Sequence, residues 1–163
     1  MIISPNRKLL FSHPAHFCSL GFGSGLLPKA PGTAGSLVAI PLYFLLPDSP
    51  NLQASLVFIA SLFAFGVWCC AATGKALGVS DHSAIVWDEM VAMWLILALI
   101  PHTATWTIAG FLLFRLFDIW KPFPIRQFDA RLKGGFGVMF DDLLAAGYSL
   151  AVLKALLWMT ARS

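Results

Sequence analysis

Carboxylates that stand inside or against apolar segments are the first candidates for chemistry in this sequence. Asp88 and Glu89 are adjacent at the end of the motif Ile85-Val-Trp-Asp-Glu89. Asp141 and Asp142 are adjacent at the end of a second motif, Gly134-Gly-Phe-Gly-Val-Met-Phe-Asp-Asp142. Carboxylate oxygens suit a hard cation such as Mg²⁺, and neither motif offers the Cys/His set typical of zinc. Ionisable groups in apolar helices are costly and usually functional. The pattern predicts a Mg²⁺ site built from some of five acids, which are Asp88, Glu89, Asp118, Asp141 and Asp142.

A further motif, Arg115-Leu-Phe-Asp-Ile-Trp-Lys121, places two bases and an acid at intervals of three residues. That spacing keeps neighbouring members on one face of a helix. Guanidinium and ammonium groups bind phosphate oxygens, so we expect Arg115 and Lys121 to bind an anionic substrate. An internal ion pair that satisfies Asp118 is the alternative role for Arg115. No Ser-His-Asp arrangement is evident, and the acids and bases together predict a metal-assisted reaction of a phosphate.

The glycine- and proline-rich segment 21–36 leads into an apolar run. Thr33 or Ser36 could cap the helix that begins there, and the free N–H groups at a helix N-terminus favour an anion. Lys29 would add a positive charge, so we predict that Lys29 and Thr33 bind substrate. The segment is not a P-loop, because no Gly-Lys-Ser/Thr follows its glycines. A loop with an ordinary helix cap is the alternative interpretation.

Five apolar segments must supply the helices that position these groups. Four are long enough to cross a hydrocarbon core of about 30 Å, namely 52–73, 84–100, 105–120 and 143–161. The fifth, 36–46, is short and carries Pro41. Residues 134–142 are predicted to form a flexible glycine loop whose two acids open the last helix. We therefore expect an all-α, polytopic membrane bundle in which four to five helices cross the bilayer.

The composition supports a membrane protein. Apolar residues make up 58% of the 163 residues and charged residues 12%, against roughly 25% charged residues in a soluble domain. So few charges cannot cover a small soluble sphere, which argues against a disordered chain, a nucleic-acid-binding domain and most soluble enzymes. The three cysteines form neither a disulfide framework nor a metal-ligand spacing. At this length we expect a single domain over residues 1–163.

Charge placement predicts the orientation of the bundle. With five crossings and the N-terminus inside, nine of the eleven Lys and Arg residues lie at the inner face, as the positive-inside rule requires. Seven of the eight acids fall at the same face, and Asp48 alone lies outside. We expect a multi-pass protein whose N-terminus, residues 121–140 and reactive groups face the cytoplasm. Its partners would then be a phospholipid substrate and the bilayer, and the sequence does not identify any protein partner.

Four motifs in order resemble the phosphatidylglycerophosphatase A family. They are Gly23-Ser-Gly-Leu-Leu-Pro-Lys-Ala-Pro-Gly-Thr-Ala-Gly-Ser36, Ile85-Val-Trp-Asp-Glu89, Arg115-Leu-Phe-Asp-Ile-Trp-Lys-Pro-Phe-Pro-Ile125 and Gly134-Gly-Phe-Gly-Val-Met-Phe-Asp-Asp142. The resemblance implies a Mg²⁺-dependent enzyme of the bacterial cytoplasmic (inner) membrane that converts phosphatidylglycerophosphate to phosphatidylglycerol and phosphate. It also implies about six helices, one of them central. Within this site we expect Asp88 and Asp141 to be catalytic.

Two other functions compete with this hypothesis. A phosphatidyltransferase also uses clustered acids at the inner face, but its Asp-Gly-x-x-Ala-Arg pattern is only echoed by Asp141-Asp-Leu-Leu-Ala-Ala146. A small ion-coupled transporter would use the charged residues as an ion path. Transporters tend to show internal repeats and midplane sites, whereas this sequence shows no repeat and places its charges at one face.

Overall fold

Five helices of 13 to 27 residues form the body of the part of the chain that the structure describes, residues 4–46 and 51–162. The structure is a computed structural model. In chain order the helices are α1 (Arg7–Leu10), α2 (Pro14–Ser19), α3 (Pro31–Leu45), α4 (Leu52–Leu77), α5 (Trp87–Leu99), α6 (Ala104–Trp120), α7 (Ile125–Arg131) and α8 (Gly134–Thr160), with 3₁₀ turns at Gly21–Leu26. Within the described residues no strand occurs, so the predicted all-α class is confirmed.

The central helix of the bundle is α5. It contacts α3, α4, α6 and α8, and its side chains after the first turn are apolar on every face, as expected for a helix enclosed by others. Two indole N–H groups fix it to its neighbours. Trp94 donates to the carbonyl of Ala39 in α3 at 2.8 Å, and Trp87 donates to that of Leu62 in α4 at 3.2 Å. The first turn of this enclosed helix carries the acidic pair at residues 88 and 89.

The helices α4 and α6 lie close to the apolar segments predicted from the sequence, 52–73 and 105–120. Asn51 accepts a hydrogen bond from the Ala54 N–H at 2.9 Å at the start of α4. The helix ends at Leu77, four residues beyond the predicted end of its apolar segment, and Gly78 with φ 79° is its C-cap. The helix α6 ends at Trp120, and its C-cap is Lys121, which has φ 46° and directly precedes Pro122. Proline disfavours a helical conformation in the residue before it. The last base of the Arg-Asp-Lys motif therefore lies at the point where the chain turns.

The predicted glycine loop at 134–142 is wrong, because α8 begins at Gly134 and runs through this segment. The glycines allow close approach instead. A Cβ on Gly135 would overlap the Val67 carbonyl of α4, and one on Gly137 would overlap the carbonyl of Leu132. The acids at 141 and 142 consequently lie about two turns inside the helix and not at its N-terminus.

The predicted cap of α3 is also wrong. The helix begins earlier, at Pro31, and its N-cap residue is Ala30, which has φ 48° and makes no capping hydrogen bond with its side chain. Ser36 lies in the second turn, where its hydroxyl donates to the carbonyl of Gly32 at 2.9 Å. Thr33 lies in the first turn. Pro31 suits the first helical position because its missing N–H has no partner there in any case.

Two helices, α4 with 26 residues and α8 with 27, are long and apolar enough to cross a membrane, while α3 is apolar but shorter. By this measure the structure supports two candidate crossings and not the four to five that the sequence predicts. Asp48, the one acid expected at the outer face, lies outside the described residues. At the opposite end of α5 from its acids, the Lys154 ammonium of α8 donates a hydrogen bond to the Leu99 carbonyl.

Candidate active site

Three of the five predicted acids come together between α5 and α8. Asp88, Glu89 and Asp142 each offer a carboxylate oxygen, and these oxygens lie within 4.8 Å of one another. We call these three residues the carboxylate cluster. Asp88 and Asp142 are buried, with 9% and 3% of their surface exposed, and Glu89 is nearly so. Adjacent residues on a helix project about 100° apart, so Asp88 and Glu89 reach the cluster from different sides of α5.

Each member of the cluster has a buried oxygen without a hydrogen-bond partner among the described residues. These atoms are Asp88 Oδ1, Glu89 Oε2 and Asp142 Oδ2. Burying a carboxylate without partners is strongly unfavourable, and three negative charges this close repel one another. A hard divalent cation would coordinate the unpaired oxygens and reduce the repulsion between the carboxylates. Mg²⁺ binds oxygen ligands at near-octahedral geometry and retains waters in the remaining positions. The donor set therefore fits Mg²⁺.

Arg115 supplies a positive charge beside the cluster. Its Nη1 lies 2.6 Å from Asp118 Oδ2 and 3.7 Å from Glu89 Oε1, although the contacts of this nitrogen lack hydrogen-bond geometry and its Nε has no partner. The internal ion pair considered from the sequence is thus present. Asp118 lies next to the cluster as the partner of Arg115 and outside the group of three, so its role as a metal ligand stays a prediction.

Lys121 and Asp141 form a second charged pair at the same end of the bundle. The Lys121 ammonium donates a hydrogen bond to Asp141 Oδ2, and it lies 3.3 Å from Asp129 Oδ1 of α7. Burial alone would lower the pKa of Lys121, but the hydrogen bond and the charge of Asp141, with that of Asp129, outweigh it and raise the pKa above its ordinary value. The lysine is therefore a fixed cation. Asp141 faces Lys121 while its neighbour Asp142 faces the cluster.

The first turn of α3 reaches the cluster through Gly32. A Cβ on this glycine would overlap Glu89 Oε1 and lie 3.2 Å from Arg115 Nη1. Thr33 is the next residue and is half-buried, whereas Lys29 is exposed and makes no hydrogen bond or ion pair with the described residues. The structure thus brings the α3 N-terminus to the site and leaves Lys29 at the surface. Substrate binding by Lys29 and Thr33 stays a prediction.

Two contributors were missed from the sequence. In the sequence, Asp129 and Arg131 have the pattern of a charged interfacial loop, but α7 folds back so that Asp129 meets Lys121. The turn is made at Pro122 and Pro124, which the sequence shows, yet the direction of the returning helix is not encoded in their spacing. In the sequence, Gly32 is distinguished only by its place in the glycine- and proline-rich segment 21–36, and its close approach to Glu89 depends on how α3 packs against α5.

Neutralising one member of the cluster should stabilise the protein in the absence of divalent cations. Asp142→Asn removes one of three repelling charges while keeping nearly the same volume, so the melting temperature in chelator should rise by about 2–4 °C, equivalent to about 1 kcal/mol. Thermal unfolding in detergent measures this shift. Asp129→Asn is the control, because it lies outside the cluster and should give no rise. A lower melting temperature for Asp142→Asn would show that these charges do not destabilise the cation-free protein.

The chain resembles known proteins over nearly its whole length. Residues 17–157 match the family model of phosphatidylglycerophosphatase A. The chain is 46% identical over 158 residues to the phosphatidylglycerophosphatase A of Haemophilus influenzae, covering 96% of this chain and 97% of that protein. It is 46% identical over 160 residues to the phosphatidylglycerophosphatase A of Escherichia coli, covering 94% and 92%.

A third relative carries a different name. The chain is 44% identical over 147 residues, 85% of its length and 91% of the relative's, to a putative phosphatidylinositol-3-phosphatase of Bacteroides thetaiotaomicron. No solved structure matches the chain. The matched region contains every residue of the carboxylate cluster and both charged pairs. The chain therefore belongs to the phosphatidylglycerophosphatase A family, and it is a phosphatase.

Proposed function

We propose that this phosphatase hydrolyses phosphatidylglycerophosphate to phosphatidylglycerol and inorganic phosphate, with Mg²⁺ held by the carboxylate cluster. The observation that carries the proposal is the cluster itself, in which three buried carboxylates converge and each leaves an oxygen without a partner. The substrate is supported by the names of the two relatives at 46% identity. Membership of a phosphatase family favours hydrolysis over the phosphatidyltransferase and transporter alternatives.

The cation, Arg115 and Lys121 would each contact a bound phosphate in a different way. Bound Mg²⁺ would neutralise negative charge on the phosphate oxygens. Such charge neutralisation is needed because phosphate monoesters hydrolyse extremely slowly without a catalyst. Arg115 lies against Glu89 and has a free buried Nε, so it can turn N–H groups toward a phosphate next to the cluster. Lys121 keeps its proton and is held by Asp141. Asp141 thus fixes the position of an ammonium that stabilises developing negative charge.

We propose a multi-pass arrangement in which α3, α4, α5, α6 and α8 cross the membrane and the site faces the cytoplasm. The helix directions support it, because α3, α5 and α8 begin at the end of the bundle where the site lies, and α4 and α6 end there. That end also receives most of the basic residues, as the positive-inside rule requires. At only 13 residues α5 is shorter than a hydrocarbon core, but neighbouring helices shield it from lipid along its length.

A lipid-anchored substrate fits this placement. The acyl chains of a diacyl lipid would stay in the bilayer while its headgroup phosphate reaches the charged end of the bundle. The outer faces of α4 and α6 expose large apolar side chains suited to lipid contact, among them Phe58, Trp68, Leu112 and Leu116. The substrate would therefore approach along the membrane plane and not from bulk water.

The proposed reaction is tested by measuring phosphate release from a panel of substrates in mixed micelles. The panel contains phosphatidylglycerophosphate, phosphatidylinositol 3-phosphate, phosphatidic acid and soluble glycerol phosphate, each with Mg²⁺ and with excess chelator. We expect the highest kcat/KM for phosphatidylglycerophosphate and loss of activity in chelator. The phosphatidylinositol 3-phosphate arm tests the second candidate substrate, which the Bacteroides relative's name suggests. Full activity in chelator would contradict the Mg²⁺ proposal and leave the substrate result standing.

Substitutions should separate the roles within the site. Asp88→Asn and Asp141→Asn should each lower kcat/KM by about 100-fold or more, since an amide removes the charge at nearly constant volume. Lys121→Met should raise KM and also lower kcat, because a phosphate contact that strengthens in the transition state affects both. Lys154→Met is the control, since its ammonium bonds the far end of α5. Unchanged kcat/KM in the two aspartate variants would contradict the assignment.

The orientation is tested by labelling single cysteines in intact inverted and right-side-out vesicles. In a background with Cys18, Cys69 and Cys70 replaced by alanine, Asn6→Cys and Lys133→Cys should react with an impermeant maleimide from the cytoplasmic side. His102→Cys, in the short connection at the opposite end, should react from the outer side. Labelling of Lys133→Cys from outside only would overturn the proposed orientation of the site.

A further inference from the structure

The residues that lead into α5 are held by a neighbouring element and not by a cap of their own. Val86 is the N-cap residue of α5 and its side chain makes no capping hydrogen bond. Its backbone N–H donates instead to the carbonyl oxygen of Ser19, at the end of α2, at 2.9 Å. Asp88 and Glu89 follow two and three residues later, so this bond fixes the backbone immediately before the first two members of the cluster.

Glycines enclose the same residues from other sides. A Cβ on Gly25 would overlap the carbonyl oxygen of Ala84, and a Cβ on Gly21 would overlap the side chain of Val86. On the α3 side, a Cβ on Gly35 would lie 2.7 Å from Val86 Cβ. Real Cβ atoms do not approach this closely, so only glycine fits at these positions. The part of the glycine-rich segment at 21–25 thus packs against the start of α5.

Ser19 is in turn fixed by a buried chain of side-chain hydrogen bonds. Its hydroxyl donates to Thr73 Oγ1 of α4 at 2.6 Å, and both residues are fully buried. Thr73 Oγ1 also lies 2.8 Å from His16 Nδ1 of α2. Burial, followed by the charge of His13, lowers the pKa of His16, so the ring is neutral at pH 7 and Nδ1 can accept a hydrogen bond from the Thr73 hydroxyl. Each of the three groups therefore has a partner.

We infer that the chain Ser19–Thr73–His16 is a positioning network that fixes the start of α5 and thereby sets the affinity of the carboxylate cluster for its cation. The inference rests on the proposed function. The network holds α2 against α4 and so fixes the position of Ser19. The Ser19 carbonyl in turn fixes Val86 by accepting a hydrogen bond from its N–H. Loss of the groups that orient metal ligands typically costs 10–100-fold in metal affinity, so release of this network should weaken binding by about tenfold.

The test measures cation binding directly, with Mn²⁺ as the probe and the loss of its free-ion electron paramagnetic resonance signal as the readout. Thr73→Val removes the shared hydroxyl at nearly constant volume, and Ser19→Ala removes the donor while leaving the Thr73–His16 contact. Thr73→Ser keeps the hydroxyl and should restore parental affinity. Ser149→Ala is the matched control, because Ser149 is equally buried but its hydroxyl bonds only the Ala145 carbonyl of its own helix. Melting temperatures in chelator are recorded for all variants.

We expect Thr73→Val and Ser19→Ala to bind Mn²⁺ about tenfold more weakly than the parent, while Thr73→Ser and Ser149→Ala bind it like the parent. Should Thr73→Val fail to insert, Ser19→Ala gives the same measurement. Parental affinity in a folded Thr73→Val or Ser19→Ala protein would overturn the inference and leave the proposed function intact. Equal weakening in Ser149→Ala would overturn it too, since the effect would follow general stability. Absence of Mn²⁺ binding in the parent would overturn both proposals.

Discussion

The fold is organised around the cost of holding three carboxylates together inside a bundle of apolar helices. Asp88, Glu89 and Asp142 converge with oxygens that no described residue satisfies, and such an arrangement is strongly unfavourable unless cations balance it. It persists because α5 and α8 are fixed by extensive apolar contact along the rest of their length. The packing of the bundle thus supports a local arrangement that is unstable by itself, as is common at functional sites.

The two bases at the site, Arg115 and Lys121, pair with acids outside the cluster and leave the space between its three carboxylates free. Arg115 lies between Glu89 and Asp118, while Lys121 is occupied by Asp141 with Asp129 nearby. Each base therefore partly balances negative charge without filling the cluster. A base bound between the three carboxylates would instead occupy the place that is available to a divalent cation. The proposed magnesium and phosphate would accordingly lie next to each other, beside the positive charges of Arg115 and Lys121.

Small residues make this convergence possible. Gly32 lets α3 reach Glu89, and Gly66 lets α4 approach Trp87 and Met139, since a Cβ there would lie 2.6 Å from the indole and 2.7 Å from the thioether sulfur. Gly135 does the same between α8 and α4. A side chain at any of these positions would separate helices whose acids must lie within a few ångströms of one another. The glycines of the motifs therefore act through packing as well as through any contact with substrate.

The sequence by itself determined the helical class, the approximate extents of α4, α5 and α6, and the residue types of the site. Apolar segment length is a local signal, as is the proline that follows Lys121, and both can be recognised without knowing the fold. The family motifs further indicated a phosphatase.

Only the tertiary structure decided which acids meet. Asp141 and Asp142 are adjacent in sequence, yet one faces Lys121 and the other the cluster, because neighbouring positions on α8 project in different directions. It also decided that residues 134–137 are helical, where Gly135 lies against the Val67 carbonyl of α4, and that Asp129 returns to Lys121. These outcomes depend on contacts between segments far apart in the chain, which no local pattern records.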